Sequence, residues 1–161
     1  MMSDLNLMNQ RGSPLLYLRE DKVKQSLNTF FNVSKSFEKT ILERIDDDSF
    51  GIADIRCLLV INLKPGIIFN ELMEELDISK QSLNRVLKKL IKNSFIIQKI
   101  NSEDGRKKNL FLSNQTKKML DNILEPILKD IAAVFQKSGS NSVQGFNQII
   151  NNIISANKHN A

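Results

Sequence analysis

The sequence has 161 residues, 41% of them hydrophobic and 25% charged, with 23 basic against 18 acidic residues and a formal net charge of +5. That length suits a single domain, and the composition excludes disordered, collagenous and mucin-like classes. No apolar run exceeds the five residues of Cys57 to Ile61, far below the roughly 20 that a membrane span needs, and the N-terminus lacks a secretory pattern, so a cytoplasmic location without a membrane partner is expected.

Met1 to Pro14 reads as a loose polar arm that ends in a Gly-Ser-Pro break. From Leu15 to Ile45, the residues Leu16, Val23, Leu27, Phe30, Phe31, Phe37, Ile41 and Ile45 recur mostly at three- and four-residue steps, which predicts a long helix. So apolar a helix needs a partner, and in a small chain a second subunit can supply it. Asp46 to Asp48 close the helix and Phe50-Gly51 makes a turn. A short helix follows over Ile52 to Asn62, with Ile55, Leu58, Leu59 and Ile61, and stops before the breaker Lys64-Pro65-Gly66. The next, Phe69 to Leu76, places Phe69, Leu72, Met73 and Leu76 on one face. After Asp77, Ile78 and Ser79 a further helix runs to Asn93, with Ser79 as its N-cap. Two short helices joined in this way form a helix-turn-helix.

Within the second of these helices, Leu83, Val86, Leu87, Leu90 and Ile91 follow the spacing of a buried stripe. Opposite lie Gln81, Asn84, Arg85, Lys88, Lys89 and Lys92, whose amide, guanidinium and ammonium groups can pair with base edges or phosphates in a major groove. Phe95 to Ile100 and Lys108 to Leu112 then read as strands around an Asp104-Gly105 turn, a hairpin carrying Arg106, Lys107 and Lys108. Directly behind a helix-turn-helix, such a hairpin reads as a wing. Two more helices are predicted, Asn114 to Gln136, bent near Pro126, and Ser142 to Ile154 after a break at Lys137 to Asn141. Their apolar stripes, with that of the first helix, exceed what a small winged domain can hide, so a helical dimerisation layer from both chain ends is expected.

Charge is concentrated where the motif lies. Lys80 to Lys108 holds nine basic residues against Glu103 and Asp104, a net +7, so that the rest of the chain sums to −2. Glu71, Glu74, Glu75 and Asp77 lie just upstream. A basic stretch bounded by an acidic one suits polyanion binding, since phosphate contacts depend on the local field; a lysine-rich solvated face is the alternative. Chemistry of other kinds lacks its residues. One cysteine makes no internal disulfide, and Cys57 with His159 makes no Cys/His metal site. No nucleophile triad, acid–base pair or phosphate loop has fitting spacing, so neither an enzyme nor a cofactor is expected. Cys57, flanked by aliphatic residues, is expected to be a buried structural thiol and not a redox sensor.

The segments DIRCLLVI (Asp54 to Ile61), FNELMEELDISKQSLNRVLKKLIKNSFI (Phe69 to Ile96) and NSEDGRKKNLFLSNQTKKML (Asn101 to Leu120) resemble bacterial MarR-type transcription regulators, and SKQSLNRVLKKL (Ser79 to Leu90) resembles their PetP-like branch. This resemblance implies a mainly α, winged helix-turn-helix fold over residues 1–161, with the DNA-binding region at 50–113 and dimerisation helices at 15–45 and 114–157. It implies a homodimer that binds double-stranded DNA at a roughly palindromic site and is released, in some members, by a small aromatic or other effector. The recognition helix corresponds to Lys80 to Asn93, with Lys80, Gln81, Ser82, Asn84, Arg85, Lys88 and Lys89 as candidate contacts. The wing signature corresponds to Asp104-Gly105-Arg106, followed by Lys107 and Lys108, with the arginine directed to a minor groove. Ile68, Met73, Ser94 and Thr116 depart from the common pattern, Ile68 replacing a capping threonine and Ser94 a glycine. Tyr17, Phe30, Phe31 and Phe37 either line an effector pocket or are simply core. The reading is thus a sequence-specific transcription regulator, and the alternative is a winged-helix adaptor without specific DNA recognition.

Overall fold

The computed structural model describes residues 16–45 and 49–158. The expected arm at Met1 to Pro14, the acidic run Asp46 to Asp48 and His159 lie outside the described residues. The chain divides into two compact units, Met1–Ile55 and Arg56–Ala161.

The first unit holds a 3-10 turn, Leu16–Leu18, and helix α1, Glu20–Glu43. Helix α1 starts later than the apolar periodicity implies because Arg19 is extended and serves as N-cap. Glu20 and Asp21 then occupy the first turn, where the helix dipole favours acids. Lys24–Glu20 and Lys39–Glu43 pair along the surface at i,i+4 spacing. Among the described residues of α1 only Ile41 is buried. Tyr17 is 68% exposed and Phe31 67%, with Leu27, Phe30 and Phe37 also exposed. The aromatic stripe is therefore not a core of the single chain. Phe50 and Ile55 are buried, and the Gly51 N–H donates to Asp54 Oδ2 at 2.8 Å, satisfying one of the otherwise unpaired groups where helix α2, Ile52–Leu63, begins.

The second unit is a winged helix-turn-helix followed by two long helices. Helix α3 spans Phe69–Leu76 and helix α4 Lys80–Lys92; strands β1, Ile96–Ile100, and β2, Lys108–Leu112, form an antiparallel hairpin; helices α5 and α6 span Asn114–Ser138 and Ser140–Lys158. Leu58, Ile61, Leu72, Leu83, Leu90, Leu110 and Leu120 are all but inaccessible and form its core, each contributing about 1.5–3 kcal/mol by leaving water. Cys57 is also fully buried, as its aliphatic neighbours imply.

Local chemistry fixes where these elements start and stop. Asp77 ends α3 at φ 48°, ψ 50°, a left-handed conformation that aspartate tolerates better than most residues. Ser79 caps α4, its Oγ accepting from the Ser82 N–H at 3.2 Å, and Ser113 caps α5 the same way through Thr116. Ile68 at the start of α3 offers no side-chain cap; instead its own N–H donates to Glu71 Oε2 at 3.3 Å. Ser94 sits at φ 61°, which gives the physical reason a glycine is common there. Helix α5 runs through Pro126 without ending, and the break before α6 is confined to Gly139 at φ 80°, narrower than the five residues expected.

One strand contact has no counterpart in the sequence reading. Ile68 bridges Asn109, the Gly66 N–H donates to the Leu110 carbonyl at 2.8 Å, and the Leu110 N–H donates to the Ile67 carbonyl at 3.0 Å. The segment before α3 thus seals the free edge of β2 and ties the wing to the helix-turn-helix. Gly66 makes this approach possible: its φ is 90°, and a Cβ would come within 3.3 Å of the Phe111 ring. Among the described residues, no helix is long and apolar enough to cross a membrane.

Candidate nucleic-acid interface

Helix α4 separates its two faces sharply. Leu83, Val86, Leu87 and Leu90 are buried, and Ile91 lies half-buried at the edge. Gln81, Arg85, Lys88 and Lys92, spaced i, i+4, i+7 and i+11, run down the centre of the exposed face. Lys80 and Asn84 are exposed beside them, whereas Ser82 and Lys89 are half-buried at its margin. Ser82 is drawn into the cap, its Oγ accepting from the Ser79 hydroxyl at 3.0 Å.

The electrostatics of this surface differ from those of the other helices. Lys24, Lys39 and Lys129 each pair with a glutamate on their own helix, but α4 contains no acidic residue. Lys80, Gln81, Asn84, Arg85 and Lys88 make no side-chain hydrogen bond or ion pair with another described residue, so their donors remain available to a ligand. Lys89 and Lys92 in the last turn complement the helix dipole. Lys80 in the first turn opposes it, a placement that a bound anion at the helix start would compensate.

The wing tip is held by a small network. Asn101 Oδ1 accepts from the Glu103 and Asp104 N–H groups at 2.9 and 3.0 Å, and Asn101 Nδ2 donates to Asn109 Oδ1 at 2.8 Å. Asp104 Oδ1 accepts from the Arg106 N–H at 3.0 Å, while its other oxygen lies 3.7 Å from Lys107 Nζ. Asp104 therefore acts on the backbone under Arg106 and on the neighbouring ammonium. The Arg106 guanidinium is left exposed, with no ion pair among the described residues. Asn101 escaped the sequence reading, although an asparagine at a strand end before a turn is the available signal.

Helix α4 and the wing meet at a groove of about 310 Å³. Arg106, Lys107 and Lys108 enter it from the wing, and Leu87 of α4 and Leu110 of β2 also line it. Leu87, buried, is the one residue of α4 that lines the groove, so the exposed face of α4 is not part of it. Gln98 of β1 and Asn70 of α3 line the same groove and were not singled out by sequence. Among the described residues, no group of three or more His, Cys, Asp or Glu is placed to hold a metal ion.

Helix, helix, helix and hairpin in this order, with a basic outer helix beside a basic hairpin, define a winged helix-turn-helix protein. Within that class, residues 50–107 match the sequence pattern of the MarR family. The chain is 27% identical over 139 residues to the HTH-type transcriptional regulator PetP of Rhodobacter capsulatus, a match covering 86% of this chain and 84% of that protein. Its fold is similar to that of Staphylococcus aureus MarR in complex with salicylate and kanamycin, with a TM-score of 0.70 at 20% identity over 90% of this chain and 98% of that one. It is also similar to reduced AbfR bound to DNA, with a TM-score of 0.57 at 17% identity over 82% and 94% of the two chains.

Proposed function

We propose that this protein is a sequence-specific, DNA-binding transcription regulator of the MarR type, within the PetP-like branch, that acts as a homodimer on a roughly palindromic site. What carries this reading is the outer face of α4: amide, guanidinium and ammonium groups in one stripe, without an acid partner on the helix, followed in the chain by a wing with three bases. In it Gln81, Asn84 and Arg85 read base edges, whereas Lys80, Lys88, Lys89, Lys107 and Lys108 hold phosphates and Ser82 supports the helix start. Arg106 enters the minor groove, where a narrow A·T-rich segment offers an enhanced negative potential. Similarity to a regulator and to a DNA-bound relative supports the reading.

The homodimer follows from apolar area. Helix α1 exposes Leu27, Phe31 and Phe37, and separately the second half of α5 and helix α6 expose Val134, Phe135, Phe146 and Ile149. Faces of this kind on a protein of this size mark association, and a second copy of the chain covers them, placing half-sites about one helical turn or a multiple apart. A small aromatic effector is a further partner in this reading. Tyr17, Lys22, Gln25, Thr29 and Phe30 line a hollow of about 500 Å³ in the first unit, in which aromatic and cationic groups suit an aromatic acid.

Selection of bound fragments from the organism's own genomic DNA by the purified protein tests the function, with enrichment of a common two-fold-symmetric motif as the expected result. Retention of fragments without sequence preference would leave the adaptor reading in its place. Sedimentation equilibrium at micromolar concentration tests the dimer, which a mass of 18.4 kDa would exclude.

A further inference from the structure

We propose that the paired amides of Asn101 and Asn109 are positioning residues for Arg106: they tie the wing tip to the helix-turn-helix, so that the guanidinium meets a narrow minor groove with its direction already set. The inference rests on the DNA-binding reading and adds to it two uncharged residues that lie outside both α4 and the Asp104-Gly105-Arg106 signature.

The tip, from Asn101 to Lys107, lies beyond the part of the hairpin that the core secures. Ile96, Leu110 and Leu112 are buried and anchor the strands, whereas Ser102, Glu103, Gly105, Arg106 and Lys107 are exposed. A segment with so little burial owes its order to its own hydrogen bonds. One side chain supplies the centre of that network. Asn101 Oδ1 accepts from the Glu103 and Asp104 N–H groups, which uses both of its lone pairs, and Asn101 Nδ2 donates to Asn109 Oδ1. Asp104, held in this way, accepts the Arg106 N–H. Backbone bonds from the Asn101 N–H to the Lys107 carbonyl, and from the Lys107 N–H to the Asp104 carbonyl, close the same loop at 3.0 and 2.9 Å.

Asn109 is the fixed end of this arrangement. It pairs with Lys99 across the hairpin and bridges Ile68 on its other side, and the next residue, Leu110, is bonded to Gly66 and Ile67. Asn101 and Asn109 are diagonal neighbours on one face of the hairpin. On that face Lys99 leans toward Phe111, its ammonium 5.1 Å from the ring centre, and so away from the tip. A continuous chain of contacts therefore runs from the segment before α3, through Asn109 and Asn101, to the backbone beneath Arg106. Its effect on binding is one of preorganisation. A guanidinium on a free loop must be ordered when it binds, whereas on a braced loop that ordering is complete in the folded protein. Having no charge, the amides set direction and add nothing to counterion release.

The test uses the full-length protein. Without DNA, amide hydrogen exchange is followed by NMR: Asn101→Ala is expected to speed exchange of the Glu103, Asp104 and Arg106 N–H groups by about tenfold, with Leu72 and Leu90 unchanged in the core. Asn101→Asp keeps the accepting oxygen, and the Asn109 amide can turn its NH₂ toward the new carboxylate, so slow exchange is expected to persist. With DNA, Asn101→Ala and Asn109→Ala are expected to weaken binding by about tenfold on an operator with A·T-rich flanks and far less on one with G·C-rich flanks, at an unchanged salt slope. In an Arg106→Ala background neither substitution is expected to change affinity further, because a residue that acts through Arg106 has nothing left to position. Equal losses in both backgrounds, or wild-type exchange at the tip of Asn101→Ala, would overturn the positioning role and leave the DNA-binding reading intact. A wild type that binds neither operator would overturn both.

Discussion

Removing the wing arginine separates a DNA-facing wing from a solvated one. The Arg106 side chain is exposed and unpaired among the described residues, so its whole charge is available to DNA. Lys107 differs, because Asp104 lies 3.7 Å from its ammonium and already offsets part of its charge. A dimer carries two wings, and each cationic contact accounts for about 0.9 unit of the slope of log affinity against log salt, so Arg106→Ala should make that slope shallower by about 1.8. Between about 50 and 200 mM salt, a fourfold change, wild type should therefore lose roughly tenfold more affinity than the variant. Lys107→Ala should change the slope less. The same arginine should make affinity depend on flanking A·T content, because narrow minor grooves concentrate negative potential. Fluorescence anisotropy across a salt series, on operators with A·T-rich and G·C-rich flanks, measures both effects. An unchanged slope with an unchanged flank preference would remove the wing from the interface and refute the assignment of Arg106.

Stability offers three further checks, each readable by thermal or denaturant unfolding. Gly66→Ala should destabilise by about 1–3 kcal/mol, since alanine at φ 90° is strained and its methyl meets the Phe111 ring; an unchanged midpoint would show that the edge of β2 is not sealed as described. Ser94→Gly should stabilise by up to about 1 kcal/mol by relieving a left-handed serine, and a loss of stability would contradict this. Cys57→Ser should cost about 1–3 kcal/mol by placing a hydroxyl in a fully buried site, while any response of DNA binding to peroxide stays as in wild type. Release of wild type by peroxide, with the folded serine variant still bound, would make Cys57 a sensor.

The outer face of α4 was legible because its periodicity is strong in both directions: Leu83, Val86, Leu87 and Leu90 mark one side as surely as Gln81, Arg85, Lys88 and Lys92 mark the other. The hairpin was equally legible from Asp104-Gly105 between two short apolar runs. Helix α1 shows the limit of the same signal. Periodic apolar residues state that a face needs cover, not which chain supplies it, and Phe31 and Phe37 are exposed in the single chain. The bridge from Ile68 to Asn109 left no trace because a one-residue pairing has no period, and Pro65-Gly66 reads only as a breaker. The groove lined by Asn70 and Gln98 was hidden for a related reason. Its members come from α3, α4 and both strands and converge only when those elements pack, and neither amide stands out in its own segment.

Sequence-specific reading by α4 stands or falls with Arg85→Ala. Binding isotherms of wild type and variant on a selected operator and on a scrambled duplex, at one fixed salt concentration, give the discrimination between sites as a ratio of affinities. Arg85→Ala is expected to narrow this ratio by about 1–3 kcal/mol for each base pair that the guanidinium reads, with the larger weakening on the operator. Equal weakening on both duplexes would contradict it, making Arg85 a phosphate-holding residue and leaving only Gln81 and Asn84 to read base edges.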